Sequence, residues 1–319
     1  MRTAWTTPTR TERPRAAAGD PAPAAARVVA QSTPPPREAT APRDAAFPLE
    51  AAARVVAVRA GAATVLRELR AASPWAPRPL PPDAAGGARV ALVQTAATLL
   101  SGDDCALDLV VSDGAVLELV ETGATIAHDV RGGAPARMRL RIALGAGARL
   151  TWLGRPLVLA HGCDLVRETT IALAPAARLL LRETVALGRS GEQPGRLDAT
   201  LRAFAATAPA SAPTAPAFAS AAPASAATAP TFATAAPASA TTAPLLHERL
   251  TTADPALLRS PLVAGGAATL DAVILLGARG DDLPGASQLA AEGTVWRALH
   301  PRGTDPDGPA LAVARAWRG

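Results

Sequence analysis

Lysine and tyrosine are absent from this chain of 319 residues, so all 32 basic side chains are arginine, and aromatic residues amount to 3%. Nucleic-acid binders gather basic charge on one face and interleave aromatics for stacking. Here the arginines are scattered, and a net charge of +5 is small for the length. A basic surface that meets an acidic protein partner is the better expectation. Cysteine is nearly absent too: Cys105 and Cys163 are the whole supply, too few for a disulfide-stapled secreted fold of this size. No stretch approaches the ~20 apolar residues of a membrane span. The Arg-, Pro- and Thr-rich start lacks the apolar segment of a signal peptide, so the expected compartment is the cytoplasm.

Catalytic signatures are also missing. The four histidines, His128, His161, His247 and His300, form no HExxH or other paired-His motif. Gly86-Gly87, Gly132-Gly133 and Gly265-Gly266 lack the Lys and Ser/Thr that a phosphate-cradling loop needs. Ser190, in GRSGE, has neither a strand-to-helix elbow nor a matching His and Asp. The expectation is a protein that is not an enzyme and binds no cofactor tightly.

What is present is apolar residue, 49% of the chain and rich in alanine, together with 31 prolines. An all-Arg, Ala- and Pro-rich composition matches the coding bias of a GC-rich genome, which explains much of the basic pI. Residues 1–45 are Ala/Pro/Arg/Thr-rich without apolar period and read as a disordered extension. Residues 205–244 hold a repeat of period ~14, from APASAPTAPAFASA at Ala208 onward. Its proline density denies a strand ladder its donors, and Phe218 and Phe232 are its only bulky apolar residues. It reads as a disordered insertion between two strands of one domain spanning 46–204 and 245–319.

Within that domain the rhythm is β. Met138, Leu140, Ile142 and Leu144 alternate with Arg137, Arg139, Arg141 and Ala143, a strand with one wet face. Cys105, Leu107, Leu109 and Val111 alternate around Asp108. Leu179, Leu181, Glu183, Val185 and Leu187 form a third row, broken by one carboxylate. LVVSDGAVL (109–117), IALGAGARL (142–150) and IALAPAARL (171–179) repeat a strand–turn–strand unit about every thirty residues. The predicted fold is mostly β, a distorted β-helix or stacked antiparallel sheets, with one or two C-terminal helices. One helix begins near Pro309, with Ala310, Val313, Ala314 and Trp317 on one face. Ala286 to Leu299 is a weaker helix candidate.

Few polar groups point to chemistry. His161 and Cys163 form an H-x-C pair that could touch a borderline metal, although a turn histidine beside a buried cysteine is the commoner arrangement. Asp103 and Asp104 offer a transient cation contact or simply a solvated turn. The segment ETVALGRSGEQPG (183–195) leaves a strand at Glu183 and carries Gly188, Arg189, Gly191, Glu192 and Gly195. Three close glycines imply tight turns or close backbone approach. Arg189 and Glu192 can pair locally or reach a partner.

This segment resembles the hallmark of the UreD family of urease accessory proteins, with matching residues Glu183, Leu187, Gly188, Arg189, Gly191 and Glu192. SGDDCALDLVVSDGAVLELVETGAT (101–125), the stretch from Ala143 to Glu183, HERLTTADPALLRSPLVAGGAATLDAVILLG (247–277) and the closing ALAVARAWRG resemble further family segments in the same order. The match runs from about Val55 to Gly319, apart from the insertion. It departs from the family pattern at Thr98 to Ser101, at Val120 to Gly123 and at Gly154. The resemblance implies a mostly β scaffold with a distorted β-helical core that binds apo-urease and recruits UreF, which recruits the GTPase UreG, for nickel delivery. It implies weak, transient nickel contacts, with Glu183, Asp103, Asp104, Glu118, His161 and Cys163 as candidate donors. Gly188, Arg189, Gly191, Glu192, Gly195 and Trp317 are candidate partner contacts. The alternative is a β-solenoid binding or surface module with no urease role.

Overall fold

The computed structural model describes residues 52–205, 243–254, 258, 260, 264–303 and 307–318. The expected N-terminal extension, and the expected insertion apart from its outermost residues, lie outside these. The elements in order are β1 (Ala53–Ala60), β2 (Ala63–Arg70), β3 (Trp75–Leu80), β4 (Ala88–Gln94), β5 (Asp104–Val111), β6 (Val116–Glu121), β7 (Thr125–Ala127), β8 (Ala136–Leu144) and β9 (Arg149–Leu153). They continue with β10 (Leu157–Leu159), β11 (Asp164–Leu173), β12 (Arg178–Ala186), β13 (Arg196–Ala205), β14 (Ala243–Thr251), β15 (Thr269–Leu276), β16 (Ala286–Gln288), β17 (Gly293–His300) and α1 (Asp307–Trp317).

The three sequence repeats are three rungs of a β-solenoid. β5, β8 and β11 stack in parallel in one sheet, and β6, β9 and β12 stack in parallel in the other. Each repeat crosses from the first sheet to the second through its small-residue turn. The turns lie over one another: the Ala146 N–H donates to Asp113 Oδ1 at 2.8 Å, and the Gly147 N–H to the Pro175 carbonyl at 3.0 Å. Of the two expected architectures, the rungs take the solenoid, and antiparallel pairing is confined to the flanking strands. The first sheet runs β14-β13-β11-β8-β5-β1-β2, and the second β16-β17-β15-β12-β9-β6-β4-β3.

Period-2 alternation sends Leu107, Leu109, Leu140, Ile142, Leu165 and Ile171 inward from the first sheet, to meet Leu117, Leu119, Leu150, Leu179 and Leu181 of the second. Each such side chain contributes roughly 1.5–3 kcal/mol by leaving water. The outer face of the first sheet is polar, with Arg202, Thr170, Arg141, Asp108, Arg54 and Arg70 at one register level on successive strands. Arg54 pairs with Asp108 and Glu68.

The C-terminal helix forms where the sequence places it, and its first turn already contains Asp307, where a carboxylate suits the helix dipole. Its four expected face residues are all buried, packed on Leu180, Val273, Leu275 and Trp296 of the outer side of the second sheet. The second helix expected over 286–299 is instead β16 and β17. Gly293 interrupts the helical pattern, and Thr294-Val295-Trp296 gain a full antiparallel ladder against β15. That tertiary pairing outweighs the helix propensity of the alanines and Leu289.

Candidate functional site: a loop column at the rung exits

On the side opposite the repeat turns, the connections that lead each rung back to the first sheet stack into a second column. The Gly102 N–H donates to the Ala134 carbonyl (3.0 Å), the Val130 N–H to the Gly162 carbonyl (3.1 Å), and the Arg196 N–H to the Cys163 carbonyl (2.7 Å). The column therefore gathers Asp103 and Asp104, His161 and Cys163, and the 188–195 loop, three groups that are far apart in sequence.

The 188–195 loop ends the column. Gly188 (φ 84°) and Gly191 (φ 79°) take left-handed conformations that a side chain would strain. Gly195 is needed for a different reason: a Cβ there would strike Cys163 Sγ and lie 2.6 Å from the Ala160 carbonyl oxygen. Arg189 and Glu192 form the expected local pair, with Arg189 Nη2 donating to Glu192 Oε1 at 2.6 Å. This hydrogen bonding pulls the partly exposed Glu192 carboxyl down to about 2. Glu192 also accepts the His161 N–H at 3.3 Å, which fastens the loop to the neighbouring turn. The Arg189 carbonyl accepts from Arg302 Nη1 at 3.2 Å. The loop is thus a stiff, exposed projection.

The candidate metal donors fall into two groups. Asp104 pairs with Arg139, and Asp103 caps the Leu100 N–H at 2.8 Å. His161 is exposed at a turn, while Cys163 is 3% exposed. Burial, with Asp164 and Asp129 nearby, pushes the Cys163 thiol up to about 12; burial likewise raises Cys105, beside Asp103 and Asp104, to about 11. Both sulfurs are therefore protonated thiols at neutral pH. Among the described residues no three His, Cys, Asp or Glu side chains are grouped to hold a metal ion. Glu183 points into the interior between the sheets and pairs with Arg167 of β11. Glu118 lies on the other face of the second sheet. Partial burial opposes its ionisation, but hydrogen bonds from Arg89 and Arg318 outweigh that and lower its pKa.

Trp317 is 6% exposed, its ring against Gly280, where a Cβ would lie 2.6 Å from the indole Nε1. Its surface is spent on packing within the chain, and little of it faces solvent.

Two features escape sequence reasoning. Glu121 is half-buried, and that desolvation raises its pKa, although the Arg155 N–H and Trp152 Nε1 donate to it at 2.7 and 2.9 Å. Arg182 and Asp271 form a two-bond pair under α1, with Nε to Oδ1 at 3.1 Å and Nη2 to Oδ2 at 2.8 Å. Arg182 Nη1 reaches Asp307 of the helix at 2.7 Å, and Thr184 Oγ1 donates to Asp271 Oδ1 at 2.9 Å. The partners are 89 and 125 positions apart, so no local pattern reveals them. No described helix is long and apolar enough to cross a membrane.

Comparison with known proteins gives this geometry a family. The family model for the UreD urease accessory protein matches residues 49–313. The Urease accessory protein UreD 1 of Streptomyces griseus is 35% identical over 90% of this chain and 97% of its own length. UreD proteins of a Parafrankia species and of Streptomyces coelicolor are 39% and 40% identical, over 51% and 48% of this chain and 54% and 60% of their own. The chain belongs to the UreD family of urease accessory proteins.

Proposed function

We propose that this protein is a non-enzymatic scaffold of urease maturation that acts in the cytoplasm. It binds apo-urease and recruits UreF, and through UreF the GTPase UreG, for nickel insertion. The observation that carries this reading is family membership across nearly the whole described domain, including a relative named as an accessory protein that aligns over 97% of its length. The solenoid supplies rigidity, because each rung is fixed by its neighbours. The 188–195 loop supplies a projecting, pre-ordered charged contact with little entropy left to lose on binding. Nickel is cargo in this scheme: it touches single donors such as Glu183, Asp103, Asp104 or His161 in passing, since a tight site would retain the ion.

The test is co-purification of the full chain with apo-urease and UreF, together with urease activity after deletion of its gene. Arg189→Glu and Glu192→Arg should each weaken the complex. Normal urease activation without the gene would refute the maturation role and favour a binding module unrelated to urease. Normal complex formation by both variants would refute the loop assignment alone.

A further inference from the structure

The 188–195 loop leaves the second sheet after β12 and enters the first at β13, so the foot on which it lands directs its charged tip. That foot is clamped from two sides. The peptide unit joining Gly195 to Arg196 donates its N–H to the Cys163 carbonyl at 2.7 Å, and its carbonyl accepts from Thr252 Oγ1 at 2.8 Å. The next unit, joining Arg196 to Leu197, donates its N–H to Thr252 Oγ1 at 2.8 Å, and its carbonyl accepts from Cys163 Sγ at 3.7 Å. Thr252 thus uses its hydroxyl both ways, as donor to Gly195 and as acceptor from Leu197. Its own N–H donates to the Leu197 carbonyl at 3.0 Å. Thr252 is 2% exposed and lies 57 and 55 positions from the two groups that its hydroxyl holds. Strand register brings it there. It directly follows β14, whose last residue, Thr251, stands opposite Asp198 of β13. Arg249 fixes that register with two bonds to Asp198, Nε to Oδ1 and Nη2 to Oδ2, both at 2.9 Å.

We propose that Thr252 is a positioning residue for partner binding: its hydroxyl sets the angle at which the 188–195 loop presents Arg189 and Glu192. Three observations carry this. The clamp acts on both peptide units that flank Arg196, so it fixes the direction of the backbone where the loop meets the sheet. Gly195 has no side chain with which to anchor itself, and hydrogen bonds do that work instead. The hydroxyl is buried, so its loss strands a carbonyl and an N–H away from water, and the backbone has to shift to satisfy them. The loop beyond the foot is stiffened by the Arg189–Glu192 pair, so a tilt at the foot moves the tip as one body. The other tethers are longer and exposed: His161 N–H to Glu192 at 3.3 Å and Arg302 to the Arg189 carbonyl at 3.2 Å. They hold the tip and leave the foot to Thr252 and Cys163.

The inference rests on the proposed role of the 188–195 loop as a partner contact and deepens it. Thr252→Val keeps the side-chain shape and removes the hydroxyl. Thr252→Ser keeps the hydroxyl and removes a methyl group. Each purified full-length variant, with Arg189→Glu alongside, is titrated onto purified apo-urease and onto purified UreF below its own thermal midpoint. Hydrogen exchange of the free variants is followed in parallel. Thr252→Val should raise exchange over 188–197 and leave β5, β8 and β11 at wild-type rates. It should weaken the association that Arg189→Glu weakens by about tenfold, because a loosened loop is reordered on binding. Thr252→Ser should match wild type in both measurements. Wild-type affinity in Thr252→Val, equal weakening by Thr252→Ser, or exchange raised throughout the rungs overturns the inference, and the loop contact stands as long as Arg189→Glu weakens binding. Wild-type affinity in Arg189→Glu, or absence of any wild-type association, overturns the loop contact and this inference with it.

Discussion

Asp271→Ala tests what fastens the C-terminal helix to the solenoid. Asp271 is fully buried and Arg182 is 3% exposed at its side chain. Burial opposes the guanidinium charge, but the hydrogen bonds that Arg182 donates to Asp271 and Asp307 more than offset this and hold its pKa above the usual value. Removing Asp271 leaves Arg182 with Asp307, itself 37% exposed, and leaves Thr184 without its acceptor. Breaking a buried pair from one side costs about 3–5 kcal/mol. For a domain of this size about 1 kcal/mol moves the midpoint by ~2–4 °C, so a fall of roughly 6–20 °C is expected in a thermal melt followed by circular dichroism. Asp307→Ala should cost less, because its carboxylate is partly solvated. The double variant Arg182→Met with Asp271→Leu should recover most of the loss, since apolar residues of similar size can replace a buried pair. A fall of under ~2 °C for Asp271→Ala, or a double variant less stable than the single one, would refute the reasoning.

Other consequences can be checked separately. Gly195→Ala forces a methyl group against Cys163 and the Ala160 carbonyl and should destabilise by about 1–3 kcal/mol in urea unfolding; wild-type stability would mean that the column relaxes freely. Glu192 has a folded pKa depressed to about 2 by Arg189. Its contribution to loop order is therefore complete above the ordinary carboxylate pKa and is lost as pH falls from about 4.5 toward 2. Hydrogen exchange in 188–195 should be unchanged between pH 7 and 5 once corrected for intrinsic rates, and Glu192→Gln should raise it at both. Cys105 and Cys163, with thiols raised to about 11 and 12, should resist a thiol-specific reagent at pH 8 until the protein is unfolded; rapid labelling of the native chain would contradict their burial.

The parts of this fold legible in the sequence are those with a local cause. Three rungs announce themselves because strand, small-residue turn and strand recur in a span of about nine residues, and the helix because its buried face recurs every three to four. The 188–195 loop is legible for the same reason: its glycines and its Arg–Glu pair lie within eight residues. What stayed hidden depends on pairings over long separations. Ala286 to Leu299 reads helically until β15 is there to pair with it. Glu183 stands out as a carboxylate in an apolar row, yet its partner Arg167 lies across the sandwich on β11. The Arg182–Asp271–Asp307 network has no sequence signature, because it exists only where separate strands and the helix converge.

The pairing of β13 with β14 sets Ala205 directly opposite Ala243. The chain that joins them leaves and returns at one point on the edge of the first sheet, so its length is decoupled from the register of the domain. Lengthening such a connection costs only about 0.6 kcal/mol per doubling. This hairpin tip is therefore the place where the protein can grow, shrink or accept a foreign domain while the rungs beneath it stay unchanged. It offers a natural position for an internal reporter.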